Sequence, residues 1–216
     1  MKKIQVIALL VMIALVTTGA QAVLIVEGGI GGLAQDTNFT GVGRDSIAGV
    51  AIELTVPSIW CGTGAAETTR DWGFSYTPGT DVDNVSIAAG TDLGNGDLAS
   101  GLTGGGSGLY NVYVTWPAST NVNIAGADIT VTSDGADVSG NYNQNTGETG
   151  GNNAWLLIAE GVSLTAGNTY YVNMHAAGWT WTSMRVNGVM WEAVPEPASM
   201  ALLGLGGLLL SLRRRR

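Results

Sequence analysis

LYNVYVTW at residues 109–116, closed by Pro117, decides the fold class. In an extended chain successive side chains point to opposite sides. Tyr110, Val112, Val114 and Trp116 therefore share one face, and Asn111, Tyr113 and Thr115 share the other. Proline has no N–H for a ladder and ends the strand. The same short alternation recurs at residues 51–56 (AIELTV), 72–76, 127–133 (ADITVTS), 155–159, 169–174 (TYYVNM) and 184–191. Asp134-Gly135, central in residues 132–136, predicts a hairpin, and Ala166-Gly167-Asn168 predicts another between GVSL and TYYVNM. No segment between the two ends sustains a helical period, and no repeat of fixed length is visible. These features predict an all-β chain, an antiparallel and jelly-roll-like β-sandwich over residues 23–193, best patterned over 109–193. Residues 101–108 (GLTGGGSG) would be a linker if residues 23–100 formed a small domain of their own. The few strands predicted before residue 100 favour one domain.

The two ends read differently from this body. Lys2 and Lys3, an apolar run over residues 4–16 and the small-residue site Ala20-Gln21-Ala22 form a signal peptide over residues 1–22, helical and cut after Ala22. Such a leader is handled by the Sec export machinery. Residues 194–216 begin with Val194, Pro195, Glu196 and Pro197, continue through an uncharged stretch at 198–212 and finish with Arg213, Arg214, Arg215 and Arg216. As a single transmembrane helix the stretch would span about 22 Å. That is short of the roughly 30 Å hydrocarbon core, with snorkelling arginines covering part of the deficit. The arginines would stay on the cytoplasmic side of the inner membrane and hold the body outside.

This tail resembles the PEP-CTERM sorting signal of bacterial exported proteins, in which a Val-Pro-Glu-Pro box, a short helix and a basic cluster follow one another at the C-terminus. The resemblance implies that a membrane-embedded exosortase reads Pro195, Glu196 and Pro197. It also implies that the tail is removed and that the body is released or re-anchored at the cell surface.

Charge narrows the partners. Of nine Lys and Arg, two lie in the leader and four in the tail; Arg44, Arg70 and Arg185 remain against 17 acidic residues, a net charge of −14. Phosphate backbones need cationic side chains that displace counterions, so nucleic acid is excluded as a partner. Cys61 has no second cysteine to pair with, so the core holds without a disulfide.

A second resemblance covers residues 109–194. YNVYVTWP, ADITVTSDG, Asn143-Gln144, AWLLIAEGVSLTAGNTYYVNM and SMRVNGVMWE together resemble the golvesin C-terminal-like domain, a β-sandwich similar in shape to carbohydrate-binding modules. Where that family carries Asp-Ala-Val in its last strand, this chain reads Asn187-Gly188-Val189, so no role for that Asp carries over.

Catalytic constellations are scarce. His175 is the only histidine, no Gly-x-Ser-x-Gly elbow occurs, and no lysine follows the leader. Cys61 lacks a basic neighbour that would activate it, and a His-rich zinc site is impossible. Glu53, Glu67, Glu148, Glu160 and Glu192 could in principle supply a glycosidase pair, but scattered solvated acids are the simpler reading. The body is therefore expected to have no catalytic residues. Calcium is the metal considered, at Asp92, Asn95 and Asp97 in TDLGNGD, where hard oxygens cluster; Asx turns bonded to their own backbone explain the same residues. Trp179 and Trp181 alternate and would face the same way. They read equally as a platform for stacking on sugar rings and as a cap on one end of the core. The expected function is that of an exosortase-sorted surface or matrix protein binding extracellular polysaccharide. The alternative is a structural component without a specific ligand.

Overall fold

Alternation of buried and exposed side chains is strictest in Tyr170–Ala176, where Tyr170, Val172, Met174 and Ala176 are buried and the residues between them are exposed. A computed structural model describes residues 23–46, 51–62, 71–102, 104–122, 125–145, 153–177 and 183–194. Its strands are β1 (Leu24–Glu27), β2 (Phe39–Thr40), β3 (Arg44–Asp45), β4 (Ile59–Gly62), β5 (Asp71–Tyr76), β6 (Gly108–Thr115), β7 (Ala127–Val131), β8 (Val138–Tyr142), β9 (Leu156–Leu164), β10 (Tyr170–Ala176), β11 (Ser183–Val186) and β12 (Gly188–Ala193), with one helical turn, α1 (Gln35–Asn38). The chain is all-β, and each ladder between these strands is antiparallel.

The pairing is nested. β7 pairs with β8, β6 with β9, β5 with β10 and β1 with β12, so the chain runs as one long ribbon doubled back at the β7–β8 turn. Two further ladders, β10 with β7 and β12 with β6, fold that ribbon into a four-stranded sheet, β1-β12-β6-β9, and a five-stranded sheet, β2-β5-β10-β7-β8. A small third sheet has the order β11-β4-β3. Strands from before and after residue 100 are neighbours in all three sheets, so residues 109–193 alone complete none of them. Two bonds tie the glycine-rich stretch to the core: Gly105 N–H donates to Tyr76 Oη at 2.9 Å, and Tyr110 Oη donates to Gly106 O at 2.7 Å.

One buried cluster draws Val112, Val114 and Trp191 from the four-stranded sheet and Phe74, Ile129 and Val172 from the five-stranded one. Tyr76 of β5 bridges the sheets, with its ring 5.7 Å from those of both Tyr110 and Trp191. Trp116 also belongs to this cluster. A second cluster lies on the other side of the four-stranded sheet, where Ile25, Tyr113 and Met190 meet Ile87, Leu93 and Trp155 from the connecting segments. Both sides of β6 are thus buried. Tyr113, placed by the alternation opposite the core, sits in this second core and donates from Oη to Glu192 Oε2 at 3.2 Å.

Three expectations are corrected. Residues 51–56 form no strand, and Glu53 takes a left-handed φ of 66°. Their polar groups go to side chains instead of a ladder. The fully buried Glu27 carboxylate accepts from Thr55 N–H (2.9 Å), Val56 N–H (3.2 Å), Leu33 N–H (2.9 Å) and Thr55 Oγ1. Asn187 Nδ2 donates to Val56 O, and Trp155 Nε1 to Ile52 O. Residues 184–191 are not one strand: the chain changes sheets at Asn187, between β11 and β12. Ala166-Gly167-Asn168 is a turn but not a hairpin, because β9 pairs with β6 whereas β10 pairs with β5 and β7. The hairpin predicted at Asp134-Gly135 does join paired strands, β7 and β8. Among the described residues no helix is long and apolar enough to cross a membrane. The signal segment 1–22 with Ala20 and Ala22, and residues 195–216 with the proposed transmembrane helix, lie outside the described residues.

Two stability predictions follow from these contacts. Glu27→Ala leaves several donors buried without an acceptor and is expected to cost about 3 kcal/mol. At this size that is a fall in Tm of roughly 6–12 °C by calorimetry. Asp134 sits in the β7–β8 turn and accepts from Tyr170 Oη and, at 2.9 Å, from Thr165 Oγ1. The Tyr170 hydroxyl, foremost, holds its carboxyl below the usual carboxylate range. The resulting stabilisation is present above the unfolded carboxyl's value and lost as pH falls through the folded one. The stability gap between the wild type and Asp134→Asn, measured by urea melts, should therefore be full at pH 7 and close as the solution is acidified through the carboxylate range.

Candidate functional site

The four-stranded sheet has its outer side covered by the second core; the five-stranded sheet presents polar side chains to solvent. Strand alternation puts Tyr171, Asn173 and His175 of β10 on that outer side, with Asp71 and Gly73 of β5 and Asp128 and Thr130 of β7 beside them. Register arranges them in rungs. His175 is flanked by Asp71 on one strand and Asp128 on the other, and Asn173 by Gly73 and Thr130. His175 Nδ1 lies 2.5 Å from Asp71 Oδ1. Asn141 of β8 donates from Nδ2 to Asp128 Oδ1 at 2.8 Å, and Thr130 Oγ1 lies 2.9 Å from Ser139 Oγ. Cross-strand pairs of this kind hold the polar heads in place.

At the centre of these rungs is an open hollow of about 340 Å³. Gly73 leaves space where any other residue would project a side chain: a Cβ there would lie 2.6 Å from Thr40 Oγ1. Glycine within a strand often marks such a close approach. Around this gap stand Asp128, Asn173 and Thr130, a set of carboxylate, amide and hydroxyl groups that offers both donors and acceptors. Tyr171, 45% exposed, lies two residues along the same face as Asn173. Two strand residues advance about 6.8 Å, which is how far along β10 it stands from Asn173.

The other expected site residues fall elsewhere. Trp179 and Trp181 lie outside the described residues, as do Glu67 and Glu148. Glu192 is buried and accepts from Ser100 N–H at 2.6 Å, so it fastens a loop to β12. Asp92, Asn95 and Asp97 do come together, in a loop closed on itself. Asp92 Oδ1 accepts from Gly94 N–H (2.8 Å) and Gly96 N–H (3.3 Å); Asn95 Oδ1 accepts from Asp97 N–H, and Asn95 Nδ2 donates to Trp155 O at 2.7 Å. This closure seats Leu93, fully buried, in the second core. Among the described residues no group of three or more His, Cys, Asp or Glu is placed to hold a metal ion.

The sorting signal is confirmed from outside the fold. Residues 193–216 match the PEP-CTERM protein-sorting motif. The match takes in Val194, Pro195, Glu196, Pro197 and the four terminal arginines, and implies export, exosortase processing and sorting to the cell surface. No curated protein matches the chain. Among solved structures, a Paenibacillus xanthan lyase is similar to 83% of this chain at 20% identity and a TM-score of 0.53; the chain spans 14% of the lyase's length. A Podospora anserina GH26-CBM35 β-(1,4)-mannanase aligns with 82% of this chain and 29% of its own, at 15% identity and a TM-score of 0.41. The first of these likenesses is one of fold.

Sequence reading passed over Asn173, Asp128 and Gly73. The signals were present: a glycine inside the Asp71–Tyr76 strand, and amide and imidazole groups on the exposed positions of TYYVNMHA. Closure of the TDLGNGD loop by its own side chains leads to a further expectation. Tm should be the same in millimolar calcium and in excess chelator, whereas Asp92→Ala should lower stability by about 1 kcal/mol in both, as read by thermal melts.

Proposed function

We propose that this chain is an exosortase-sorted surface or matrix protein. In this reading its body, a jelly-roll-like β-sandwich, binds a neutral, hydroxyl-rich polysaccharide without catalysis. The nested pairing supports the jelly-roll reading, since a doubled ribbon wound into two facing sheets is how two Greek keys share one core. The observation that carries the binding reading is the hollow over Gly73, rimmed by Asp128, Asn173 and Thr130 on an otherwise regular sheet face. Vicinal sugar hydroxyls each need a donor and an acceptor, which a carboxylate beside an amide provides, and the exposed Tyr171 ring offers an apolar face for the pyranose. A polysaccharide ligand is in keeping with the xanthan lyase that shares the fold.

The same geometry argues against hydrolysis. Asp71 and Asp128 are both exposed and flank one histidine, whereas a glycosidase acid sits shielded from water, across the scissile bond from its partner. The test is retention of the full-length chain, purified in detergent, on exopolysaccharide from its own cells. Asn173→Ala with Asp128→Ala is expected to weaken retention at least tenfold with Tm unchanged within about 2 °C, because both side chains face solvent. Retention that survives this pair but is abolished by Trp179→Ala with Trp181→Ala would overturn the assignment to this face. Absence of retention in the wild type would overturn the binding reading altogether.

A further inference from the structure

The outermost strand of a β-sheet carries N–H and C=O groups that no neighbouring strand satisfies, and folded chains blunt such edges. Most edges here are closed or interrupted. At β1, which ends the four-stranded sheet, the Asn84 side chain takes the place of a partner strand: Ile25 N–H donates to Asn84 Oδ1 at 2.9 Å, and Asn84 Nδ2 donates to Ile25 O at 2.7 Å. Gln144 does the same for β11, accepting from Arg185 N–H at 2.9 Å and donating to Arg185 O at 2.6 Å. β9 carries an exposed Glu160, its register against β6 shifts, and Asp134 N–H donates to Ser163 O. β2 and β3 have two residues each.

β8 has none of these devices. It ends the five-stranded sheet, keeps unbroken register with β7 over five residues, and contains neither charge nor proline. Among the described residues, β7 is the strand that pairs with it, on its inner side. Its sequence, Val138-Ser139-Gly140-Asn141-Tyr142, matches itself when reversed about Gly140. With two copies antiparallel and Gly140 opposite Gly140, Val138 of each meets Tyr142 of the other, and Ser139 meets Asn141. Val138 is 36% exposed and Tyr142 is only partly buried, so a branched side chain and an aromatic ring gain cover on one side while two hydrogen-bonding side chains meet on the other. The central glycine has no side chain to hold the two backbones apart.

We propose that β8 is a self-association edge, where a second copy of this chain adds its own β8 antiparallel about Gly140 and joins two five-stranded sheets into one. A strongly acidic body repels its own copies, and an uncharged edge is where two of them meet against the least repulsion. Residues directly opposite on antiparallel strands point to the same side, so the two outer sheet faces become continuous. The hollows over Gly73 then open in one direction, with five strand spacings, about 24 Å, between the two β10 strands. Where the hollow binds glycan, a clause that rests on the function proposed above, one polymer can occupy both and gains residence from the second contact. The pairing itself needs no glycan.

The experiment mixes full-length chains bearing Ser139→Cys with full-length chains bearing Asn141→Cys under mild oxidation; the native Cys61 is buried. In the proposed register positions 139 and 141 stand opposite each other, within disulfide reach, whereas 139 with 139 and 141 with 141 are diagonal neighbours at about 7–8 Å. The mixture should give roughly tenfold more covalent dimer than either variant alone. Equal yields in all three samples, or no dimer in any, overturn the proposal. Both side chains face solvent, so each variant should melt within about 2 °C of the wild type. If either melts lower, a second measurement decides without substitution: in the wild type, amide hydrogen exchange of residues 138–142 should slow as protein concentration is raised, and exchange independent of concentration overturns the proposal. Neither measurement contains polysaccharide, so this edge and the glycan-binding face stand or fall separately.

Discussion

Glu27 holds its carboxyl group inside the protein with, among the described residues, no cation beside it, and the arrangement around it shapes the rest of the molecule. A buried polar group of this kind persists only where several donors converge on it. Here three backbone N–H groups and the Thr55 hydroxyl do so, drawing residues 51–56 against the end of β1. Once fixed there, Ala51, Ile52 and Leu54 close over Trp155 and help cover the outer side of the four-stranded sheet. That covering makes the two sheets unequal. One is buried on both sides, and the other keeps an outer face whose side chains are free to be polar. The candidate site exists on the second sheet because the connecting segments are committed to the first.

Legibility in the sequence followed the range of the interactions involved. Tyr110, Val112, Val114 and Trp116 were readable as one face because the alternation is local and the core lies on that side. The partner face was misread in character: Asn111, Tyr113 and Thr115 look half-polar, yet Tyr113 is buried under segments more than ten residues away in the chain. AIELTV alternates like a strand, but the acceptor that captures it, Glu27, stands 28 residues from Thr55, and no periodicity reports such a contact. The break at Asn187 is likewise tertiary. Its N–H bonds Thr115 O while its side chain bonds Val56 O, which diverts the chain from the small sheet to the four-stranded one. At the site, the exposed positions of β10 could be read directly, whereas their meeting with Asp71 and Asp128 depended on which strands flank β10.

The two polar surfaces differ in the chemistry they offer. The sheet face is an array of carboxylate, amide and hydroxyl groups with one imidazole and, among the described residues, no arginine. The small sheet carries Arg44 over the ring of Trp60.

Val194 gives the molecule a direction. Its N–H bonds Leu109 O at 2.8 Å, so the chain is still part of the folded body at the first residue of the box. Three extended residues reach only about 10 Å, so whatever grips Pro195 to Pro197 works almost in contact with the end of β12. β12 belongs to the four-stranded layer, and the hollow opens from the far side of the opposite layer. A molecule held by its tail would therefore be gripped at one end of the four-stranded layer, with the hollow on the opposite layer left uncovered by the grip.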